Sequence, residues 1–176
     1  AVFAANSPVF LTTDNWVLIL HQASITGIAA IGATIVLMSG AIDITQGSVI
    51  AIATLATVQI LNLGVPFVLA LPIALSVGIL AGAGTGALIH NFRIPAFVAA
   101  LGAMLVIRGI AFVWTSGISV GLAKGASPEL VWLGQGRVGG IPVPIILMVS
   151  LYLAFHVIMR QTAWGLRCTA LGSDRE

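Results

Sequence analysis

From Asn15 to Phe92 the chain carries one charged side chain, Asp43, inside the segment Ser39 to Ser48 (SGAIDITQGS), and apolar runs flank that segment on both sides. A stretch of this composition cannot supply the water-facing surface of a soluble domain. Inside a bilayer, an acid at a Gly-containing break between two hydrophobic helices is a functional position by default. Composition agrees: 59% of the 176 residues are hydrophobic and 7% are charged, against roughly 25% charged in an average soluble domain. The mean hydropathy is +1.14. Apolar windows near 20 residues recur, about the length that crosses ~30 Å of hydrocarbon at 1.5 Å per residue. These features imply an all-α, polytopic transmembrane bundle with a transport role.

Other classes fall away on the same residues. The pI near 9.3 rests on one Lys and six Arg scattered through the chain, with no basic stripe interleaved with aromatics, so nucleic acid is not an expected partner. Cys168 is the single cysteine, which excludes an internal disulfide and a thiolate metal cluster. His21, His90 and His156 lack metal-ligand spacing. Gly121 to Gly125 (GLAKG) lacks the Walker spacing and the Gly-Lys-Ser/Thr ending, so no ATP site is expected on this chain. No nucleophile and base stand at a shared helical spacing, which argues against an intramembrane hydrolase. The expectation is a transport component that is not an enzyme.

The hydrophobic pattern predicts one transmembrane domain over 1–176 with five spans, at 16–38, 48–63, 67–89, 95–115 and 142–159. Ser48 is placed as the N-cap of the second span, and Gly64-Val65-Pro66 as its stop. The third carries Ala70, Ala74, Gly78, Gly82 and Gly86 at four-residue intervals, a ridge expected to bury against a neighbouring helix. Residues 116–141 form an external loop with a short helix at Pro128 to Leu133. Two prolines, Pro142 and Pro144, suit the first turn of the fifth span. With Arg160, Arg167 and Arg175 placed inside, the loop 116–141 lies outside and Arg93 returns inside. That alternation requires a helix before residue 1, with Ala1 to Phe3 as its tail. The break containing Asp43 then lies near the inner face, or deeper if the helix is discontinuous.

An acid at mid-bilayer costs about 2.5 to 3.5 kcal/mol on insertion scales and each Leu or Ile returns about 0.3 to 0.6, so the flanking spans carry Asp43 at either depth. Two roles compete for Asp43: a polar lining of a pathway, shared by Gln46 and Ser48, or an acceptor for the free N–H groups of the second span. Gly40 and Gly47 are expected to serve the backbone as structural or hinge positions, with Gly78, Gly82 and Gly86. Arg108, well inside the fourth span, is expected to pair with another group. Trp114 and Trp132 suit the interfacial belt. On these residues alone an ion- or proton-coupled carrier using Asp43 stays open.

Several stretches in order resemble one family. SPVFLTTDNWVLILHQASITGIAAIGATIVLMSGAIDITQGSVIAIA, GTGALIHNFRIPAFVAALGAMLVIRGIAFVWTSG, SPELVWLGQGRVGGIPVPI and WGLRCTALGSDRE resemble the permease subunits of bacterial sugar ABC importers, the ribose, xylose and galactose type within the branched-chain amino acid permease superfamily. Thr85, Ala100 and Thr45-Gln46 depart from that pattern, which usually has Asn, Thr and Ser-Val there. The resemblance implies a vitamin B12-importer-like permease architecture, truncated here at both ends, in a multi-pass inner-membrane protein. It implies a pathway for a ribose-like monosaccharide, with Phe97 of the Ile-Pro-x-Phe stretch added to its candidate lining. Implied partners are a second permease subunit, a cytoplasmic ABC ATPase that uses ATP as its own cofactor, a periplasmic sugar-binding protein and the lipid bilayer. Gly172, Ser173, Asp174, Arg175 and Glu176 are implied to approach the helix that couples to the ATPase.

Overall fold

The computed structural model describes residues 9–173. Seven helices and one short ribbon follow in order among the described residues: α1 Thr13–Met38, α2 Gln46–Asn62, α3 Phe67–Phe92, α4 Ala96–Thr115, α5 Pro128–Gln135, β1 Arg137–Val138, β2 Ile141–Pro142, α6 Val143–Gln161 and α7 Ala163–Ser173. The strands pair antiparallel, Arg137 with Pro142 and Val138 with Ile141. The helix expected before residue 1 lies outside the described residues.

Local chemistry sets the helix limits. Thr12 opens α1, its hydroxyl accepting the Asn15 N–H at 3.4 Å. Gly40 closes it at φ +77°. The Gly40 N–H donates to the Leu37 carbonyl at 2.9 Å and the Ala41 N–H to the Val36 carbonyl at 3.2 Å. That double closure needs a left-handed residue, which glycine adopts without a Cβ penalty.

α1, α3, α4 and α6 are each long and apolar enough to cross a membrane. α2 is apolar but has 17 residues, about 26 Å at 1.5 Å per residue and short of the ~30 Å core. It starts two residues before the expected limit, and Ser48 is not its N-cap. The Ser48 N–H donates to the Thr45 carbonyl at 2.9 Å, so Ser48 lies within the first turn and Thr45 holds the cap position.

α2 packs between α3 and α4, while α1 packs on α6 and α7, and α5 rests on α6. Ala56 and Leu61 of α2, Ala70 of α3, and Ala99 and Ala100 of α4 are buried, on the three helices that pack together. Small side chains at such seams let backbones approach, which replaces hydrophobicity as the means of association in lipid. Large apolar side chains point outward instead, among them Leu80, Val113 and Leu153, as a lipid-facing surface requires.

The short connections make successive helices antiparallel. One end of the bundle therefore gathers the start of α1, the end of α2, the loop 116–141 and the start of α6. The other end holds the close of α1, the start of α2, Arg93, and α7.

Candidate functional site

The segment between α1 and α2 is fixed by Asp43 itself. Its Oδ1 accepts the Thr45 N–H at 2.7 Å, an Asx turn that sets Thr45 to receive the N–H groups of Ser48 and Val49, at 2.9 and 3.0 Å. Thr45 is buried and Asp43 half-buried. A carboxylate here also faces the positive end of the α2 dipole. Asp43 thus serves the backbone with one oxygen, and its carboxylate lines a cleft as well.

That cleft, about 300 Å³, is walled by Ile28, Ala29, Gly32 and Val36 of α1, by Asp43 and Thr45 of the break, by Gln46, Val49 and Ile50 of α2, and by Gly78 and Gly82 of α3. Ile28 stands ten residues before Met38, so the cleft climbs about 15 Å along α1 from the break. Its polar groups sit at the end where α7 lies, and its upper walls are apolar. The result is an open apolar groove with a polar foot.

The structure brings Asp43, Gln46, Gly78 and Gly82 to this cleft and leaves other candidates outside it. Ser48 is buried within α2, and Phe97 is exposed on α4, away from these walls. Gly47 has open space around the position of a Cβ. The α3 ridge buries only in part. Ala70 is fully buried, and a Cβ on Gly78 would meet Val49 Cγ1 at 3.8 Å, but Gly82 and Gly86 have nothing within 4 Å. Arg108 does not pair: it is exposed on α4 with no hydrogen bond or ion pair among the described residues, because α4 turns that face away from α2 and α3.

At the foot of the site α7 presses on the end of α1. A Cβ on Gly172 would lie 3.1 Å from the Met38 carbonyl carbon and 3.3 Å from the Gly40 nitrogen, with the Met38 oxygen nearer still. Only glycine fits there. Ser173 closes α7 by donating to the Thr169 carbonyl at 3.0 Å; Asp174, Arg175 and Glu176 lie outside the described residues.

Three tertiary links have no local sequence signal. Asn62 clamps the long loop: its Nδ2 donates to the Gly121 carbonyl at 3.0 Å, and its Oδ1 accepts the Ala123 N–H at 2.8 Å. His21 Nε2 donates to the Gly134 carbonyl at 2.8 Å and ties α1 to α5. The third is the Gly172 seat on Met38.

A family model for the permease component of branched-chain amino acid transport systems matches residues 15–176. The chain belongs to this permease family. Ribose import permease protein RbsC of Escherichia coli K12 is 34% identical over 175 residues, covering 99% of this chain and 54% of the relative. Galactofuranose transporter permease protein YtfT of the same strain is 37% identical over 154 residues, covering 88% and 44%. Fructose import permease protein FruF of Bifidobacterium longum is 35% identical over 148 residues, covering 84% and 42%. This permease chain spans about half the length of the curated relatives it matches. No solved structure matches it significantly.

Proposed function

We propose that this chain forms the translocation pathway in the permease subunit of an ATP-binding-cassette importer for a ribose-like monosaccharide, in the bacterial inner membrane. Two permease subunits enclose the pathway, a separate cytoplasmic ATPase hydrolyses ATP, and a periplasmic binding protein delivers the sugar. The observation that carries this reading is the cleft at Asp43 and Gln46 between membrane-length helices, in a chain alike over nearly its whole length to a ribose import permease. The named relatives are importer permeases, which favours this reading over an ion-coupled carrier.

The mechanism follows from where α7 sits. Its last turn seats Gly172 on the carbonyl of Met38, and four residues beyond Met38 the chain reaches Ile42 and then Asp43. A push on α7 from the cytoplasmic side moves the end of α1, and with it the Asx turn that sets the foot of the cleft. Asp43 and Gln46 exchange hydrogen bonds with sugar hydroxyls as they pass, while the aliphatic walls above offer no polar group to hold them. The partner ATPase supplies the energy, and no covalent chemistry falls to this chain.

The test is uptake of labelled ribose by proteoliposomes holding the full-length permease with its ATPase and binding protein. Uptake that needs ATP and both partners supports the proposal. Uptake driven by a proton gradient without the ATPase overturns it.

A further inference from the structure

Asp14 and Arg137 share a second cleft, of about 350 Å³, at the opposite end of the bundle from Asp43. Asp14 stands in the first turn of α1, and Arg137 lies on β1 opposite Pro142. His21 and Gln135 complete the polar lining, over an apolar floor that includes Val17 and Pro142. None of the four polar side chains bonds to another of them among the described residues. His21 is oriented by the Gly134 carbonyl, which accepts from Nε2 at 2.8 Å.

The lining selects a ligand class. A simple anion meets Asp14, and a simple cation meets Arg137, so either gains one attraction and one repulsion. A neutral polyol donates to Asp14, accepts from Arg137, and does both with Gln135, because each hydroxyl is donor and acceptor. An amino-acid zwitterion also satisfies both charges, and the sugar permeases that this chain resembles, not the lining, decide between the two. The apolar floor fits the C–H face of a sugar ring, and the volume falls in the range of about 300–1,000 Å³ common for small-ligand pockets.

We propose that this cleft is a low-affinity monosaccharide site at the loop end of the permease, separate from the Asp43 cleft. The proposal rests on the importer reading for the choice of a sugar over other polyols. Sugar released at the loop end is held there by Asp14 and Arg137 before it enters the bundle.

The test uses full-length permease in nanodiscs with no ATPase and no binding protein. Saturation-transfer NMR is recorded with ribose, fructose and galactose in turn, and with leucine as the zwitterion. Wild type binds at least one of the sugars in preference to leucine. Asp14→Asn and Arg137→Gln each weaken that binding about tenfold, the loss of one charge-assisted hydrogen bond. Arg160→Ala, at the opposite end of the bundle, leaves it unchanged. Arg137→Lys, which keeps the charge and loses the planar fork, gives an intermediate loss and guards against misfolding as the cause. No sugar binding to wild type, binding that both substitutions leave intact, or preference for leucine each overturns the proposal. Uptake with both partners is measured beside it, so ATP-driven uptake without sugar binding at this cleft rejects this site alone, whereas absence of ATP-driven uptake rejects the importer reading.

Discussion

Gly172 seats directly on the main chain of Met38, with space for a hydrogen and not for a methyl group. The nearest atoms are backbone, the Met38 carbonyl and the Gly40 nitrogen, so rotation of a side chain cannot relieve a substitution. The contact joins two places far apart in sequence, the last turn of α7 and the break that presents Asp43.

Asp43 has two functions that a pair of substitutions separates. Asp43→Asn keeps an oxygen to accept the Thr45 N–H, so the Asx turn and membrane assembly survive while the charge facing the cleft is lost. Uptake is expected to fall severalfold with the amount of assembled permease unchanged. Asp43→Ala removes the acceptor as well, leaving the start of α2 short of one hydrogen bond at a cost of about 1–2 kcal/mol, and assembly falls too. Unchanged uptake by Asp43→Asn would leave only the backbone function.

Gly82 and Gly27 differ in what a larger side chain meets. A Cβ on Gly82 has open space and Gly82 itself walls the cleft, so Gly82→Leu assembles normally and narrows the passage, lowering uptake. A Cβ on Gly27 lies 2.5 Å from Met148 Sδ, at the seam of α1 and α6. Gly27→Leu is expected to overpack that seam by about 1–3 kcal/mol and to lower the amount of assembled protein on blue native gels.

Asn62 holds residues 121–123 with two hydrogen bonds across the end of α2. Asn62→Ala removes both, at about 0.5–1.5 kcal/mol each. Hydrogen exchange at the Ala123 amide is expected to accelerate roughly tenfold. Asn62→Asp keeps the acceptor for that amide and loses the donor to Gly121, so it protects Ala123 better than Ala does. Equal exchange in all three proteins would contradict the clamp.

The membrane class and the position of the break were legible because burial in lipid leaves a strong, local pattern: a lone Asp43 between apolar runs. The family resemblance extended that to a permease. The limit of α2 was not legible, since Ser48 has the side chain of a cap, yet Asp43 fixes the cap at Thr45, three residues earlier, and draws Ser48 into the helix. Arg108 was expected to pair from its cost in hydrocarbon, but sequence does not tell which face of α4 its neighbours occupy. The α3 ridge predicted close packing along its length, and the structure buries Ala70 but leaves open space at Gly82 and Gly86, because which stretch of a helix meets a neighbour is a tertiary property. Asn62 with Gly121, His21 with Gly134, and Gly172 with Met38 are contacts of high sequence separation, and none has a local periodicity to announce it.

The most direct test of the account measures ATP hydrolysis and sugar uptake together, in proteoliposomes holding the full-length permease, its ATPase and its binding protein, for wild type and Gly172→Ala. Pushing α7 off the Met38 carbonyl is predicted to leave assembly and hydrolysis near wild type while uptake per ATP falls about tenfold. Uptake per ATP equal to wild type would contradict the claim that α7 acts on the pathway through the end of α1.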